Sequence, residues 1–427
     1  MRSLPDLHTS AGVVIFLATL VVIMIRPYGI SEAMMALGGA ALMLAGGFVR
    51  PTEAMALLVS DWNVYGFFLG MMAISGLADQ AGIFEMLACR AGQWGRGSGV
   101  RLYLAVFAVG AIITAFLSND ATALILTPVV YALATRLRLA VLPFVFACTF
   151  IADTASFLLP VSNPINILFM DAFGGNLAAF LRYLLLPSIF CIGFNLVIFV
   201  WLFRRDLRMS YDPALLPTAN VPDKRFYKFT TAVLILVAIA YVAASAVELP
   251  LSIIALGGGT LLFVGATYYR CLDMAKLGKD ISWSLFAFIT GMFIIVRAVE
   301  NLGLTTAFGG WLTALAGDSR LGAILIIAAC TALGANLINN VPMALVMISV
   351  LGAMHAHPVN RALVYAAAFG ADLGPNLTTV GSLATMLWLL ILRRKGLEVS
   401  TREYFKLGVT VVPLMILAGS LLIWLNL

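Results

Sequence analysis

Long apolar runs are the feature that most restricts what this chain can fold into. Eight of them are long enough to cross about 30 Å of hydrocarbon as helices, and they cover residues 11–25, 30–49, 62–78, 183–203, 229–247, 250–269, 283–299 and 407–427. Because 62% of the 427 residues are hydrophobic and only 11% are charged, there is too little charge to cover a soluble protein of this size. The sequence therefore predicts an all-α, polytopic membrane protein.

Four further apolar segments carry polar interruptions near their centres. Segments 103–137 and 321–354 are interrupted by "SND" and "INN", and we interpret them as two re-entrant hairpins. Segments 140–168 and 362–392 are interrupted by "DTASFLLPVSNP" and "DLGPNLTTVGS", and we interpret them as two broken helices. Backbone that leaves the helix at membrane depth survives only where protein or a watery cavity surrounds it. The pattern predicts about ten transmembrane helices in total, and a site where the interruptions meet.

Three blocks of the first half recur in the second half in the same order. "WNVYGFFLGMMAISGLADQAGIF" matches "WSLFAFITGMFIIVRAVENLGLT", "AFLSNDATAL" matches "ANLINNVPMA", and "FIADTASFLLPV" matches "FGADLGPNLTTV". The second match pairs Asn119 with Asn339, and the third pairs Asp153 with Asp372. Three aligned blocks with matching polar residues indicate an internal repeat.

An odd number of spans in each half would insert the second copy upside down relative to the first. We expect a first repeat at 1–210 with a cytoplasmic hairpin at 103–137, a cytoplasmic linker at 211–228, and a second repeat at 229–427 with an external hairpin at 321–354. Most of the 26 Lys and Arg then lie on the cytoplasmic side, in agreement with the positive-inside rule. Two inverted-topology repeats with interrupted helices are how many secondary transporters are built.

Three aspartates at the interruptions, Asp120, Asp153 and Asp372, are the candidates for proton coupling. Burying a carboxylate in a bilayer costs on the order of several kcal/mol, so the fold would not retain such groups without a use for them. The alternative role for each is a helix cap or a hydrogen-bonding strut at the break. Because burial and nearby charges change the proton affinity of a carboxylate, these groups could exchange a proton as their surroundings change.

Uncharged polar side chains at the same interruptions are the candidates for substrate binding, since amides and hydroxyls both donate and accept hydrogen bonds. The candidates are Asn119, Asn339, Asn340, Thr154, Asn163, Thr378, Thr379 and Ser382. Their alternative role is to satisfy backbone groups freed where the helices unwind. The sequence shows no metal-ligand spacing and no nucleophile–base motif, so we expect no metal, no cofactor and no catalytic residue, and we interpret Cys148 and Cys330 as packing residues. The net charge of +6 fits basic cytoplasmic loops better than a nucleic-acid partner.

Four motifs resemble the ArsB family of arsenite and antimonite efflux proteins, within the ion transporter superfamily. They are "FLSNDATALILTPVV", "FIADTASFLLPVSNPINIL", "NNVPMALVM" and "DLGPNLTTVGSLATMLWLLIL". The resemblance implies export of arsenite and antimonite, as neutral trivalent hydroxides, in exchange for protons across the bacterial inner membrane. In some members it implies an accessory ATPase bound on the cytoplasmic side.

The hairpin tips depart from the wider superfamily, whose members carry Ser-Asn-Thr at both. This chain has Asp120 and Asn340 at the third position of the two tips. An aspartate there would repel an anion, which argues against a dicarboxylate substrate. A sodium/proton antiporter is the alternative within transport, because carboxylates with amide and hydroxyl oxygens also suit a hard cation. A membrane-embedded enzyme, using paired aspartates as acid and base, is the alternative from another class.

Overall fold

A computed structural model of the chain describes residues 7–25, 30–217, 221–246, 249–354 and 361–427. Apart from one isolated bridge between Ser98 and Ser210, the regular structure in these ranges is helical. The middle of the predicted linker and the last residue of the predicted span 229–247 lie outside them.

The α-helices are α1 (Leu7–Ile25), α2 (Glu32–Ala45), α3 (Pro51–Ser60), α4 (Trp62–Gln80), α5 (Ile83–Gly95), α6 (Gly99–Phe116), α7 (Thr127–Arg136), α8 (Val141–Thr154), α9 (Pro164–Phe173), α10 (Leu177–Leu202), α11 (Arg204–Leu207), α12 (Lys224–Ala246), α13 (Leu251–Tyr268), α14 (Met274–Asp280), α15 (Trp283–Asn301), α16 (Leu304–Ala316), α17 (Arg320–Ile338), α18 (Asn340–Ala353), α19 (Arg361–Leu373), α20 (Leu383–Arg394) and α21 (Thr401–Leu425). A π-helical stretch, Ala121–Leu126, leads into α7, and short 3-10 turns lie at Pro160–Ser162, Pro213–Leu215 and Gly374–Leu377.

Among the described residues, seven helical stretches are long and apolar enough to cross a membrane. They are Gly99–Phe116, Leu177–Leu202, Lys224–Ala244, Leu251–Tyr268, Met274–Asn301, Arg320–Ile338 and Thr401–Leu425. The pair α3–α4, bent by 50° at its junction, adds an eighth if it is one span.

The predicted number of about ten full spans is therefore not confirmed, since several predicted spans contain shorter helices. The predicted span 30–49 shows why. Its helix, α2, ends at Ala45 because two glycines follow, and Gly47 has a φ of 74°. A left-handed residue directly after a helix is a common way to end it.

All four predicted interruptions are breaks between helices. The first hairpin segment divides into α6 and the stretch that begins at Ala121, and the second divides into α17 and α18 at Asn339. The helices α8 and α19 end at Thr154 and Leu373, and each is followed by a 3-10 turn before α9 or α20 begins. Pro160 and Pro164 lack the amide hydrogen that a continuing helix would need. Since α6 and α17 are each long enough to span alone, the re-entrant character of the hairpins stays a prediction.

The helices of the two halves follow one another in the same order and pack reciprocally. The helix α4 packs against α13, and its counterpart α15 packs against α2, the counterpart of α13. Both crossings depend on a glycine. A Cβ on Gly70 would lie 2.6 Å from the Cβ of Ala255, and a Cβ on Gly291 would lie 2.6 Å from the carbonyl carbon of Ala36. This reciprocity supports the internal repeat, and the opposite orientation of the two copies stays a prediction.

Replacing Gly70 by Ala should destabilise the α4–α13 crossing, because the added methyl group would lie within 3 Å of the facing backbone. Overpacking of this kind typically costs about 1–3 kcal/mol, so we expect a lower melting temperature in detergent. Gly257→Ala, on the same helix pair but with open space around the added Cβ, is the matched control and should leave the melting temperature unchanged or raised. Equal melting temperatures for Gly70→Ala and the unaltered protein would contradict the close backbone approach.

Candidate transport site

Two of the three predicted aspartates occupy matching places, each in the last turn of a helix that stops inside the protein. Asp153 is the last residue but one of α8, and Asp372 is the last residue but one of α19, with 1% and 0% of their surfaces exposed. The helices α8 and α19 contact each other, and the two carboxyl groups are close enough for their charges to interact. The two broken helices thus place these aspartates near each other.

Asp372 is held by a side chain from the other half. Its Oδ1 accepts a hydrogen bond from Nδ2 of Asn163, while its Oδ2 has no partner within the described ranges. Asn163 is fixed in turn because it caps α9, its own oxygen accepting from the amide of Ile165 at 3.1 Å. The side chains of Ser156 and Asn166 are also close to this carboxyl group. Asn163 thus joins the break of one half to the aspartate of the other.

Asp153 lies in a different setting, because neither of its carboxylate oxygens has a hydrogen-bond partner in the described part of the chain. Its polar neighbours are Asn119, Thr385 and the carboxylate of Asp120. Asn119 is buried and accepts from the amide of Asp120 at 2.9 Å. Asp120 itself is only partly buried and stands immediately before the π-helical stretch. The first hairpin tip therefore faces Asp153.

Thr154, predicted to bind substrate, has its hydroxyl occupied by protein groups. Its Oγ1 accepts from Nδ2 of Asn195 at 3.0 Å and from Nδ2 of Asn376 at 3.0 Å. Asn376 also donates to the carbonyl of Phe150 at 3.2 Å. Since Asn195 comes from α10 and Asn376 from the 3-10 turn after α19, Thr154 ties three elements together beside Asp153.

The remaining candidates surround the second hairpin tip. Asn339 is buried with a φ of 74°, and the amide of Asn340 donates to the carbonyl of Gly381 at 3.0 Å. That bond ties the tip to the stretch between α19 and α20. In the same stretch, Thr378 donates to Asn336 at 2.6 Å, and Thr379 is buried.

Ser382 caps α20 and exchanges a hydrogen bond with the hydroxyl of Thr385 at 2.9 Å. The predicted set is thus gathered around two tips and two breaks, and part of it is used for backbone and interhelical bonds.

The site offers oxygen and nitrogen atoms, and no basic side chain is paired with them among the described residues. The ion pairs resolved among the described residues, Lys276–Asp79 and Arg297 with Glu53 and Glu300, do not include the three site aspartates. No cluster of three or more His, Cys, Asp or Glu suited to a metal ion occurs within the described ranges. Cys148 and Cys330 are free thiols, the first fully buried and the second partly buried. The arrangement can therefore bind an uncharged polar solute or take up a proton without a competing counter-charge.

Two crevices of unequal size lie near the hairpin tips. The larger, about 340 Å³, is lined by Phe116 at the end of α6, by Leu159, Pro160 and Val161 from the break after α8, and by the ends of α12 and α13. The smaller, about 30 Å³, is lined at the corresponding places of the other half, including Asn336, Asn339 and Val380. The same locations in the two halves thus open to different extents.

Several polar residues of the site were not predicted from sequence. Asn195 and Asn336 are the only amide side chains of α10 and α17, a signal that was present because an amide in a span needs a partner. Thr385 lies three residues after the second predicted interruption, and Tyr404 lies among the polar residues at the start of α21. Only the packing of α20 and α21 beside α8 brings them near Asp153.

An all-helical body with spans of membrane length and polar groups enclosed at paired helix breaks is that of a multi-pass membrane transporter. Residues 11–425 match the family model ArsB, described as arsenical pump membrane protein. The chain belongs to this family.

Relatives and solved structures agree with that assignment. The chain is 35% identical to the arsenical pump membrane protein of Escherichia coli strain K12, over 92% of this chain and 94% of that protein. It is 34% identical to the protein of the same description from Yersinia enterocolitica, with the same coverage. The YdaH transporter of Alcanivorax borkumensis superimposes with a TM-score of 0.58 at 16% identity, covering 98% of both chains. MtrF of Neisseria gonorrhoeae, from a class of antimetabolite efflux pumps, gives 0.54 at 11% identity, covering 99% of this chain and 95% of that one. At such identities these two structures show a shared fold alone.

Replacing Thr154 by Val should destabilise the protein, because it removes the acceptor shared by two buried amides and leaves Asn195 without this partner. A buried donor left unpaired costs about 1–3 kcal/mol, so the melting temperature in detergent should fall. Thr154→Ser keeps the hydroxyl and should stay close to the unaltered protein. Equal melting temperatures for the Val and Ser variants would contradict the bridging role of this hydroxyl.

Proposed function

We propose that the chain exports arsenite and antimonite, as neutral trivalent hydroxides, in exchange for protons across the bacterial inner membrane. The observation that carries the proposal is the pair Asp153 and Asp372: two fully buried carboxyl groups at matching helix breaks, in contact with amide and hydroxyl side chains and with no basic partner resolved in the described chain.

The unpaired atoms of the site match what a neutral triol offers. At neutral pH arsenite carries three hydroxyl groups and no charge, so it needs hydrogen-bond acceptors rather than a cation. Both oxygens of Asp153, Oδ2 of Asp372 and the amide oxygen of Asn166 are buried acceptors with no partner among the described residues. A buried polar group left unpaired is costly, and a bound triol would satisfy several of these atoms at once.

Proton coupling follows from the charge of the same two groups. Two ionised carboxylates this close and this deeply buried would repel each other without compensation, so the pair retains a proton when the site is empty of substrate. Binding the triol's hydroxyl groups favours the ionised form of an acceptor carboxylate, which links substrate binding to proton release. One proton moving inward yields about 2.3 kcal/mol per 100 mV and roughly 1.4 kcal/mol per pH unit, enough to drive export against a gradient.

The unequal sizes of the two crevices favour a transporter that opens to one side at a time, rather than a protein that only binds its solute. The wall of the larger crevice includes Leu159, Pro160 and Val161, which lie between Asp153 and Asn163 in the chain. Gly174 to Leu177, which also line this crevice, lie on the predicted external side. The larger crevice would then be the external approach to the site and the smaller one the cytoplasmic approach. An accessory ATPase would bind on the cytoplasmic side, where the predicted topology places most basic residues.

A sodium/proton antiporter remains the second candidate. The same unpaired carboxylate and amide oxygens that suit a triol also suit a hard cation. The two candidates differ in what releases the proton, so a single assay separates them.

Neutralising either buried aspartate should abolish coupled proton movement. In everted vesicles with an acidic lumen, adding arsenite or antimonite to the unaltered protein should dissipate the pH gradient, because the solute enters as protons leave. Asp153→Asn and Asp372→Asn should each reduce this dissipation at least tenfold, since an amide cannot carry the proton. A pH-sensitive dye reports the gradient.

The control is Asp318→Asn, at an exposed carboxylate between α16 and α17, which should behave as the unaltered protein. Dissipation by sodium but not by arsenite or antimonite would select the antiporter instead. Full activity of both site variants would overturn the coupling role of the two aspartates.

A further inference from the structure

A closed group of aromatic side chains adjoins Asp153. Tyr404, in the first turn of α21, lies at its centre, with ring-centroid distances of 5.0 Å to Phe150, 6.0 Å to Trp388 and 6.2 Å to Phe146. All four rings are fully buried. We call these four residues the aromatic box.

Three polar atoms in or beside the aromatic box have no hydrogen-bond partner in the described part of the chain. They are the hydroxyl of Tyr404, Nε1 of Trp388 and the hydroxyl of Thr149, and each belongs to a side chain that is at most 1% exposed. An unpaired polar group at such depth costs about 1–3 kcal/mol, and Phe or Val in place of these residues would avoid that cost. Internal water normally satisfies groups of this kind.

The unpaired atoms connect to the unpaired carboxyl group of Asp153. The side chain of Thr385 is next to both the Asp153 carboxyl group and the Tyr404 hydroxyl. Thr149 is next to that hydroxyl on α8, one turn before Asp153. Thr385 therefore links the surroundings of Asp153 to those of Tyr404, and water molecules would complete the chain of hydrogen bonds.

In the other half, beside Asp372, the counterparts of these three polar residues are apolar. The register of the third matching block, which pairs Asp153 with Asp372, gives the counterparts of Trp388 and Thr149. The counterpart of Tyr404 follows when α21 is aligned with α10 from their caps, Ser400 and Asn176. The counterparts are Phe169 for Trp388, Ala368 for Thr149 and Phe180 for Tyr404, all fully buried. These three counterparts are apolar, whereas Tyr365 aligns with Phe146 and Asn166 with Thr385, so the polar groups are placed differently in the two halves.

We propose that Tyr404, with Trp388, Thr149 and Thr385, forms the proton path between Asp153 and the cytoplasm. Tyr404 stands in the first turn of α21, between the exposed Arg402 and Lys406, an end of the helix that the predicted topology places at the cytoplasmic face. The smaller crevice, assigned above to the cytoplasmic approach, measures only about 30 Å³, so a separate narrow path for protons would serve that side. This inference rests on the proposed function, since it takes Asp153 as the carrier of the coupled proton.

The transfer leaves every group but the carboxyl unchanged. The protonated carboxyl of Asp153 gives its proton to a water molecule that is hydrogen-bonded to Tyr404. The Tyr404 hydroxyl passes its own proton to a second water on the cytoplasmic side and takes the first one in its place. Asp153 is left as a carboxylate, Tyr404 stays neutral, and one proton has moved to the cytoplasm.

Tyr404→Phe tests the path, because it keeps the ring and removes the hydroxyl. In everted vesicles we expect arsenite-dependent dissipation of the pH gradient to slow at least tenfold. Exchange of radiolabelled arsenite for unlabelled arsenite, which needs no net proton transfer, should stay within twofold of the unaltered protein. The melting temperature should not fall, since the hydroxyl removed has no partner in the described structure.

Tyr103→Phe is the matched control, because it removes another fully buried hydroxyl that lacks a partner within the described ranges, on α6 beside Phe107 and Phe144. It should leave both fluxes unchanged. Normal proton movement in Tyr404→Phe, or equal loss of arsenite exchange and proton movement, would overturn the path, the second result marking Tyr404 as a substrate contact or a structural residue. If the unaltered protein exchanged arsenite without moving protons, the proposed function would fail first and the path with it.

Discussion

The cost of placing carboxyl groups deep inside an apolar protein is the constraint on which the rest of this structure depends. Asp153 and Asp372 each lie in the last turn of a helix that ends inside the protein. Both therefore lie beside polar backbone and side-chain groups that a continuous helix would not expose. The surrounding amides and hydroxyls, the prolines that hold the breaks open, and the tips of the two hairpins all serve to make that placement tolerable. A fold of uninterrupted spans would have no room for either group.

The two aspartates occupy matching places but have different partners, and this difference is informative. Asp372 is anchored by Asn163 from the opposite half, whereas Asp153 has both oxygens unpaired in the described chain and lies beside the first hairpin tip and the aromatic box. A carboxyl group held by a fixed amide is suited to position its neighbours. One without a fixed partner is suited to change partners during a cycle, which is why we assign the more mobile proton to Asp153.

Much of the architecture could be predicted from sequence because residues that are close together in the chain determine it. Pro187 and Pro413 lie inside helices, so a proline alone does not mark a break. Prolines such as Pro160 and Pro164 next to clustered polar residues do, which located the breaks to within a few residues. The number of spans was harder, because helix length depends on stop signals such as Gly46 and Gly47 as well as on apolar content. Side-chain partners were the least predictable part. Thr154 was a substrate candidate by its position, yet its hydroxyl bonds to Asn195 and Asn376, and only the three-dimensional packing of three separate elements decides that.

The close helix crossings at Gly70 and Gly291 limit which parts of the molecule can move relative to each other. At each, two helical backbones approach so closely that a single methyl group would not fit, and an interlocked pair of this kind resists sliding because its contact surfaces have no slack. The pair α4 and α13 therefore moves as one rigid unit, and so does the pair α15 and α2. Whatever displacement carries a solute across must be taken up along other seams of the molecule, where larger side chains can exchange one set of neighbours for another.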